Sequence, residues 1–185
     1  MTPLAAMGVR VRVADSGDAA ELAEVAAATF PLACPPTARA GDIAATIAAH
    51  LSEACFAGYL RDPDRRVLAA CEGGRIVGYA MLVRDGTGPS TVVELSKIYL
   101  APAHHRTGAA AALMEAGLAW AADIGARSVW LGVNQTNLRA QRFYRKHGFD
   151  ITGTRTFTLG QSVEDDYVMT RVTTRVMTRV TTPLI

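Results

Sequence analysis

Hydrophobic positions alternate with polar ones at the start of the chain, where Val9, Val11 and Val13 interleave with Arg10 and Arg12. That period of two predicts a first strand with one exposed face. The period then lengthens to that of a helix: Leu22, Val25, Ala26 and Phe30 form one apolar face, Asp15 or Ser16 offers a cap, and Pro31 is expected to stop the helix. The Cys34-Pro35-Pro36 tract reads as a loop. From about Gly41 a second helical stripe runs through Ile43, Ile47, Leu51, Ala54 and Cys55 to Tyr59 and Leu60. Strands follow at 67–71 and 76–83, joined by a tight Gly73-Gly74 hairpin. After the DGTGPS turn, Val92, Val93, Leu95, Ile98, Tyr99 and Leu100 supply the β-branched and aromatic residues of another strand, which Pro102 ends. A helix over about 107–124 comes next, with Leu113, Gly117, Trp120 and Ile124 on its buried face. The pattern closes with a strand at 128–133, a helix over 137–147 stopped by Gly148, and strands at 149–157 and 166–172.

Composition narrows the class. The chain has 185 residues, half of them hydrophobic and 19% charged, which suits one packed domain, expected over 1–172. A basic tail over 173–185 follows, in which the MTRVTT of 169–174 recurs at 177–182; it either continues the last strand or is a solvated, disordered extension. The net charge of +2 points to no nucleic acid. It is unevenly spread: residues 1–90 hold ten acids and eight bases, and 91–185 hold seven acids and eleven bases. Cys34, Cys55 and Cys71 lack metal-ligand spacing and form an odd set, so buried thiols are expected, with no metal. The first residues do not read as a signal peptide, and no segment reaches the roughly 18 apolar residues of a membrane span. A cytoplasmic location with no membrane partner is the expectation.

The chemistry concentrates in 94–114, ELSKIYLAPAHHRTGAAAALM. A strand turning into an alanine-rich helix at Gly108 leaves free amide N–H groups at the positive end of the helix dipole, with no large side chains in front of them. That is an anion site suited to phosphate. The stretch resembles the acetyl-CoA-binding motif of the GNAT superfamily of N-acetyltransferases: Gln or Arg, two free positions, Gly, one free position, then Gly or Ala. Gly108 and Ala110 match, while His105 departs at the first position. A second stretch, GVNQTNLRAQRFYRKHGF over 132–149, matches the superfamily at Asn137, Ala140, Phe143, Tyr144, Gly148 and Phe149.

The resemblance implies an α/β (α+β) fold: a mixed, mostly antiparallel sheet of about six to seven strands flanked by helices, splayed between its fourth and fifth strands. It implies an enzyme, an acyltransferase using acetyl-CoA as cosubstrate and acetylating a primary amine by direct attack in a ternary complex. The pantetheine arm would lie along Ile98, Tyr99 and Leu100. The pyrophosphate would meet the amides of His105, Arg106, Thr107, Gly108, Ala109 and Ala110, and Asn137 and Phe143 would contact the cofactor. An alkyl ammonium has a pKa of about 10.4 and must lose a proton before attack. Glu94, or a water, is the candidate base, and its alternative is an outward-facing strand carboxylate. Tyr144 matches the superfamily's general acid, and its alternative is a core aromatic.

The ending is similar to the PaiA-type polyamine acetyltransferases at Gly148-Phe149, Phe157 to Gly160 and Asp165-Asp166. A small-molecule amine such as a polyamine is the implied acceptor. The alternatives are a protein lysine or N-terminal acetyltransferase and an acyl-CoA-binding regulator without turnover. Exposed strand edges leave a homodimer open.

Overall fold

The computed structural model describes residues 8–159 and 162–173. The recurrence of MTRVTT and nearly all of the basic tail lie outside them. Seven strands form one sheet: β1 (Arg10–Val13), β2 (Arg65–Glu72), β3 (Arg75–Asp85), β4 (Val92–Leu100), β5 (Ser128–Asn134), β6 (Asp150–Leu159) and β7 (Ser162–Val172), in spatial order β1-β2-β3-β4-β5-β7-β6. Every pairing is antiparallel except β4 with β5. The expected splay lies at that parallel junction.

Helix α4 (Ala109–Asp123) covers one face of the sheet, with Leu113, Met114 and Ala121 buried against Leu82, Val93 and Leu95. Full burial of Leu113 is worth about 1.5–3 kcal/mol. The other face carries α1 (Ala19–Ala33) and α3 (Glu53–Tyr59), whose Leu22, Ala26 and Phe56 pack on Val67, Tyr79 and Met81. Helix α2 (Ala40–His50) precedes α3, and α5 (Leu138–Lys146) sits between β5 and β6. Among the described residues no helix is long and apolar enough to cross a membrane, and no cluster of His, Cys, Asp and Glu could hold a metal ion.

Three elements differ from the sequence reading. Pro31 lies inside α1, which runs on to Ala33; a proline that close to a helix end forfeits a single backbone hydrogen bond and need not end it. The second helical stripe is two helices, because the Ser52 hydroxyl accepts from Cys55 N and starts α3 afresh. Strands β6 and β7 pair over 150–159 and 162–172, with β7 beginning before the expected residue 166.

A bulge in β4 matters most for the site. Leu95 faces Leu82 and Lys97 faces Met81, so Ser96 is an extra residue opposite nothing. Side chains therefore change phase there. Val93 and Leu95 before the bulge, and Ile98 and Leu100 after it, all turn to the α4 side. Glu94, Lys97 and Tyr99 share the opposite face with their partners Val83, Met81 and Tyr79.

Candidate active site

Strands β4 and β5 pair only over three positions, Val92 with Ser128, Val93 with Val129 and Glu94 with Trp130. Beyond Glu94 they diverge, and β5 continues to pair with β7 alone. Two strand edges thus face each other without forming a ladder, a costly arrangement unless something else takes up the bonds. The parity of those bonds can be read from the strand end. Ala101 N donates to Val77 O at 2.8 Å, so alternate residues Tyr99 and Lys97 point their backbone groups at β3, while those of Ile98 and Leu100 point into the opening. The carbonyl of Leu100 is already taken, accepting from His105 Nε2 at 3.1 Å. What remains on this edge is the N–H and C=O of Ile98 and the N–H of Leu100. Tyr99, expected to offer its backbone, instead contributes its ring, which packs on Tyr79 and Phe30.

The turn after β4 is the stretch expected to bind an anion, and its backbone departs from that expectation at His105. The His105 amide donates to Pro102 O at 3.1 Å and its Nε2 is engaged by Leu100 O, so His105 has no free amide for a ligand. His104 is held too, its Nε2 lying 2.8 Å from Glu72 Oε2. From Arg106 onward the backbone changes character. Arg106 has φ 67° and Gly108 φ 89°, both left-handed, a sequence of turns that aims consecutive N–H groups to one side. No described residue accepts from the amides of Arg106, Thr107, Gly108, Ala110 or Ala111. Ala109 N has only the Thr107 hydroxyl at 3.4 Å. The free amides therefore run one residue later than the sequence suggested, over 106–111.

At the wide end of the splay lies a cleft of about 250 Å³. Ile98 and Tyr99 line it from β4, and Asn137 and Tyr144 from α5. Asn137 caps α5, its Oδ1 accepting from Ala140 N at 3.0 Å, which leaves its amide NH₂ to donate elsewhere. Tyr144 packs beside Phe149 and Phe143, no described residue hydrogen-bonds its hydroxyl, and burial pushes its pKa up to about 12. Phe143, expected at the cofactor, does not line the cleft and packs at a tilt against His147 with centroids 4.4 Å apart.

Glu94 is likewise outside the lining. It sits where β4 and β5 are still paired, with Oε1 4.0 Å from Arg155 Nη1. Arg155 reaches it from β6 by lying across Gly132, where a Cβ would collide with the guanidinium. On its other side Arg155 meets Asp166 Oδ2 at 3.4 Å. Asp166 is 5% exposed and does line the cleft, together with Glu164, Lys97 and Arg155. Burial raises the Asp166 pKa from its ordinary value, against the lowering effect of Arg155. Lys97 is shifted the other way, its pKa lowered by burial while Glu94 opposes the fall. Sequence reasoning passed over Lys97 and Arg155 because nothing local marks them: one depends on the Ser96 bulge and the other on a contact between β6 and β5.

A splayed parallel junction, free amides at a helix start and a tyrosine across the opening form one arrangement. The Acetyltransferase (GNAT) family model matches residues 32–149 of this sequence. The chain belongs to that family. It is 63% identical over 154 residues, 83% of this chain and 97% of the relative, to an "Uncharacterized N-acetyltransferase" of Mycobacterium tuberculosis, and equally to one of Mycobacterium bovis. Its fold is similar to the PaiA N-acetyltransferase of Thermoplasma acidophilum in complex with coenzyme A, with TM-score 0.78 and 20% identity over 90% of this chain and 99% of that one. It is also similar to the ribosomal-protein-S18-alanine N-acetyltransferase of Escherichia coli, with TM-score 0.69 and 17% identity over 93% and 98%. The chain is thus an N-acetyltransferase of the GNAT family, and acetyl-CoA is the family's cosubstrate. The residues present fit it: unbonded amides suit a pyrophosphate, and an unpaired strand edge suits an arm that carries amides.

Proposed function

We propose that this GNAT enzyme acetylates the primary amine of a small molecule, a polyamine being one candidate acceptor, in the cleft between β4 and β5. The observation that carries the reading is the meeting, in one cleft, of the open Ile98 edge, the Tyr144 hydroxyl and the carboxylates Glu164 and Asp166. Acetyl-CoA supplies the activated acetyl group. The amides over 106–111 hold the diphosphate, the Ile98 carbonyl and the Leu100 N–H complete their bonds with the pantetheine amides, and the spare Asn137 NH₂ donates alongside. An N–H at Ile98 aimed into the opening polarises the thioester carbonyl.

Asp166 takes the role first given to Glu94. It lies in the cleft, and burial raises its pKa, which favours its receiving the amine's proton. Glu94 acts at one remove, as a positioning residue that holds Arg155 across Gly132. Tyr144, protonated well beyond neutral pH, offers its hydroxyl to the departing sulfur. The acid pair on β7 attracts an ammonium-bearing acceptor by charge.

The test is thiol release from acetyl-CoA with a panel of monoamines, polyamines, amino acids and peptides, with products confirmed by mass. Amine-dependent acetylation of small molecules is expected. Thiol release that no amine accelerates would refute the reading, and turnover confined to peptides would replace it with a protein acetyltransferase.

A further inference from the structure

The four charged side chains that line the cleft are two acids and two bases: Glu164 and Asp166 against Lys97 and Arg155. A site built for a polycation alone would carry an excess of acid; this one is balanced. The charges are also sorted by wall. Glu164 and Asp166 stand on β7, where Asn134 Nδ2 donates to Glu164 Oε2 at 3.3 Å. Lys97 stands on β4, across β5. Arg155 is shared between Asp166 and Glu94, so its charge is largely answered.

Lys97 is not answered in the same way. Its Nζ has the Ser96 hydroxyl at 3.4 Å and the Tyr59 ring at 5.7 Å, and no carboxylate of a described residue forms a salt bridge with it. Glu94 and Arg65 act on it in opposite senses, and burial lowers its pKa. A half-buried ammonium without a counter-ion is an expense that a bound anion would offset.

Resting on the amine acetyltransfer reading above, we propose that the acceptor is amphoteric: a primary amine that also bears a carboxylate, its amine end at Asp166 and Glu164 on β7 and its carboxylate end at Lys97 on β4. The geometry sets the scale. Strands two places apart in a sheet are about 10 Å apart, more where they splay. The β5 position between them is Gly132, over which the Arg155 guanidinium lies. That span, with the Arg155 guanidinium beside it, suits an amine and a carboxylate joined by a short carbon chain, as in a diamino acid.

The experiment compares amines that differ only in the carboxylate: ornithine with putrescine, lysine with cadaverine, and phenylalanine with phenethylamine, each at saturating acetyl-CoA with the full chain. The expected result is a kcat/KM at least about tenfold higher for the carboxylate-bearing member of one or more pairs. Lys97→Met should bring that ratio close to one by raising KM, and Lys97→Arg should restore part of it. An unchanged KM for acetyl-CoA shows that each variant is folded. Equal or better turnover of the decarboxylated member in every pair overturns the proposal while leaving amine acetyltransfer standing, as does a preference that survives Lys97→Met. Absence of turnover with every amine overturns both.

Discussion

Replacing Tyr144 by phenylalanine removes one oxygen and little else, which makes its effect calculable. The phenol has a pKa of about 12 and a free thiol about 8.5, so handing over the proton completely is uphill by about 5 kcal/mol. Complete transfer is therefore not the efficient use of this group. A hydrogen bond to a charged acceptor contributes about 1.5–3 kcal/mol, which corresponds to a loss of roughly 10- to 150-fold in kcat for Tyr144→Phe. Because the hydroxyl has no described partner in the resting enzyme, the variant should melt within about 2 °C of the parent. Its KM for acetyl-CoA should barely move. The pH dependence separates roles further: Tyr144 stays protonated to about pH 12, so activity should show no tyrosine-derived fall near pH 10. The sign for stability follows from the same shift, since a pKa raised above its unfolded value of about 10 gives stability present below pH 10 and lost toward pH 12. Steady-state kinetics on a thiol-release assay and thermal melts suffice. A kcat within twofold of the parent would refute the argument and return Tyr144 to the core.

Three other substitutions probe the frame of the site. Gly108→Ala forces a side chain onto φ 89°, costing about 1–2 kcal/mol, so melting should drop by roughly 2–8 °C and calorimetry should show weakened coenzyme A binding; unchanged affinity would count against the amide site. Gly132→Ala displaces the Arg155 guanidinium, a flexible group, so stability should hold while the acceptor KM rises and coenzyme A affinity stays constant; a rise in neither KM would remove Arg155 from the acceptor site. Asn137→Ala deletes the α5 cap, worth about 0.5–2 kcal/mol, and should lower both melting temperature and cofactor affinity, whereas a change in stability alone would make it only a cap.

Much of this could be read along the chain because the signals are local. The run of β-branched residues closed by Pro102, the glycine ahead of the alanine helix, and the Gly73-Gly74 turn each announce their structure within a few residues. Both glycines of that turn have positive φ. The break at Ser52 was hidden by an apolar stripe that stays in phase through Leu51 and Cys55, leaving a single hydroxyl as its cue. The site was legible in its cofactor half and blurred in its acceptor half for a physical reason. Diphosphate binding uses backbone, whose availability follows from Gly108 and the helix start. The acceptor chemistry proposed above uses side chains from β4, β6 and β7, brought together by a one-residue bulge at Ser96 and by a guanidinium resting on Gly132. No short window contains those relations, so Glu94 looked like the residue in the cleft when Asp166 occupies it.

Amide proton and nitrogen NMR shifts during titration with coenzyme A test the central claim most directly, because that claim concerns individual backbone N–H groups. The account predicts the largest changes at Arg106, Thr107, Gly108, Ala110 and Ala111, with a second set at Ile98 and Leu100 and smaller ones at His105 and Tyr99, whose amides are already bonded. Shifts that leave 106–111 untouched, or that are as large at His105 and Tyr99 as at their neighbours, would contradict it.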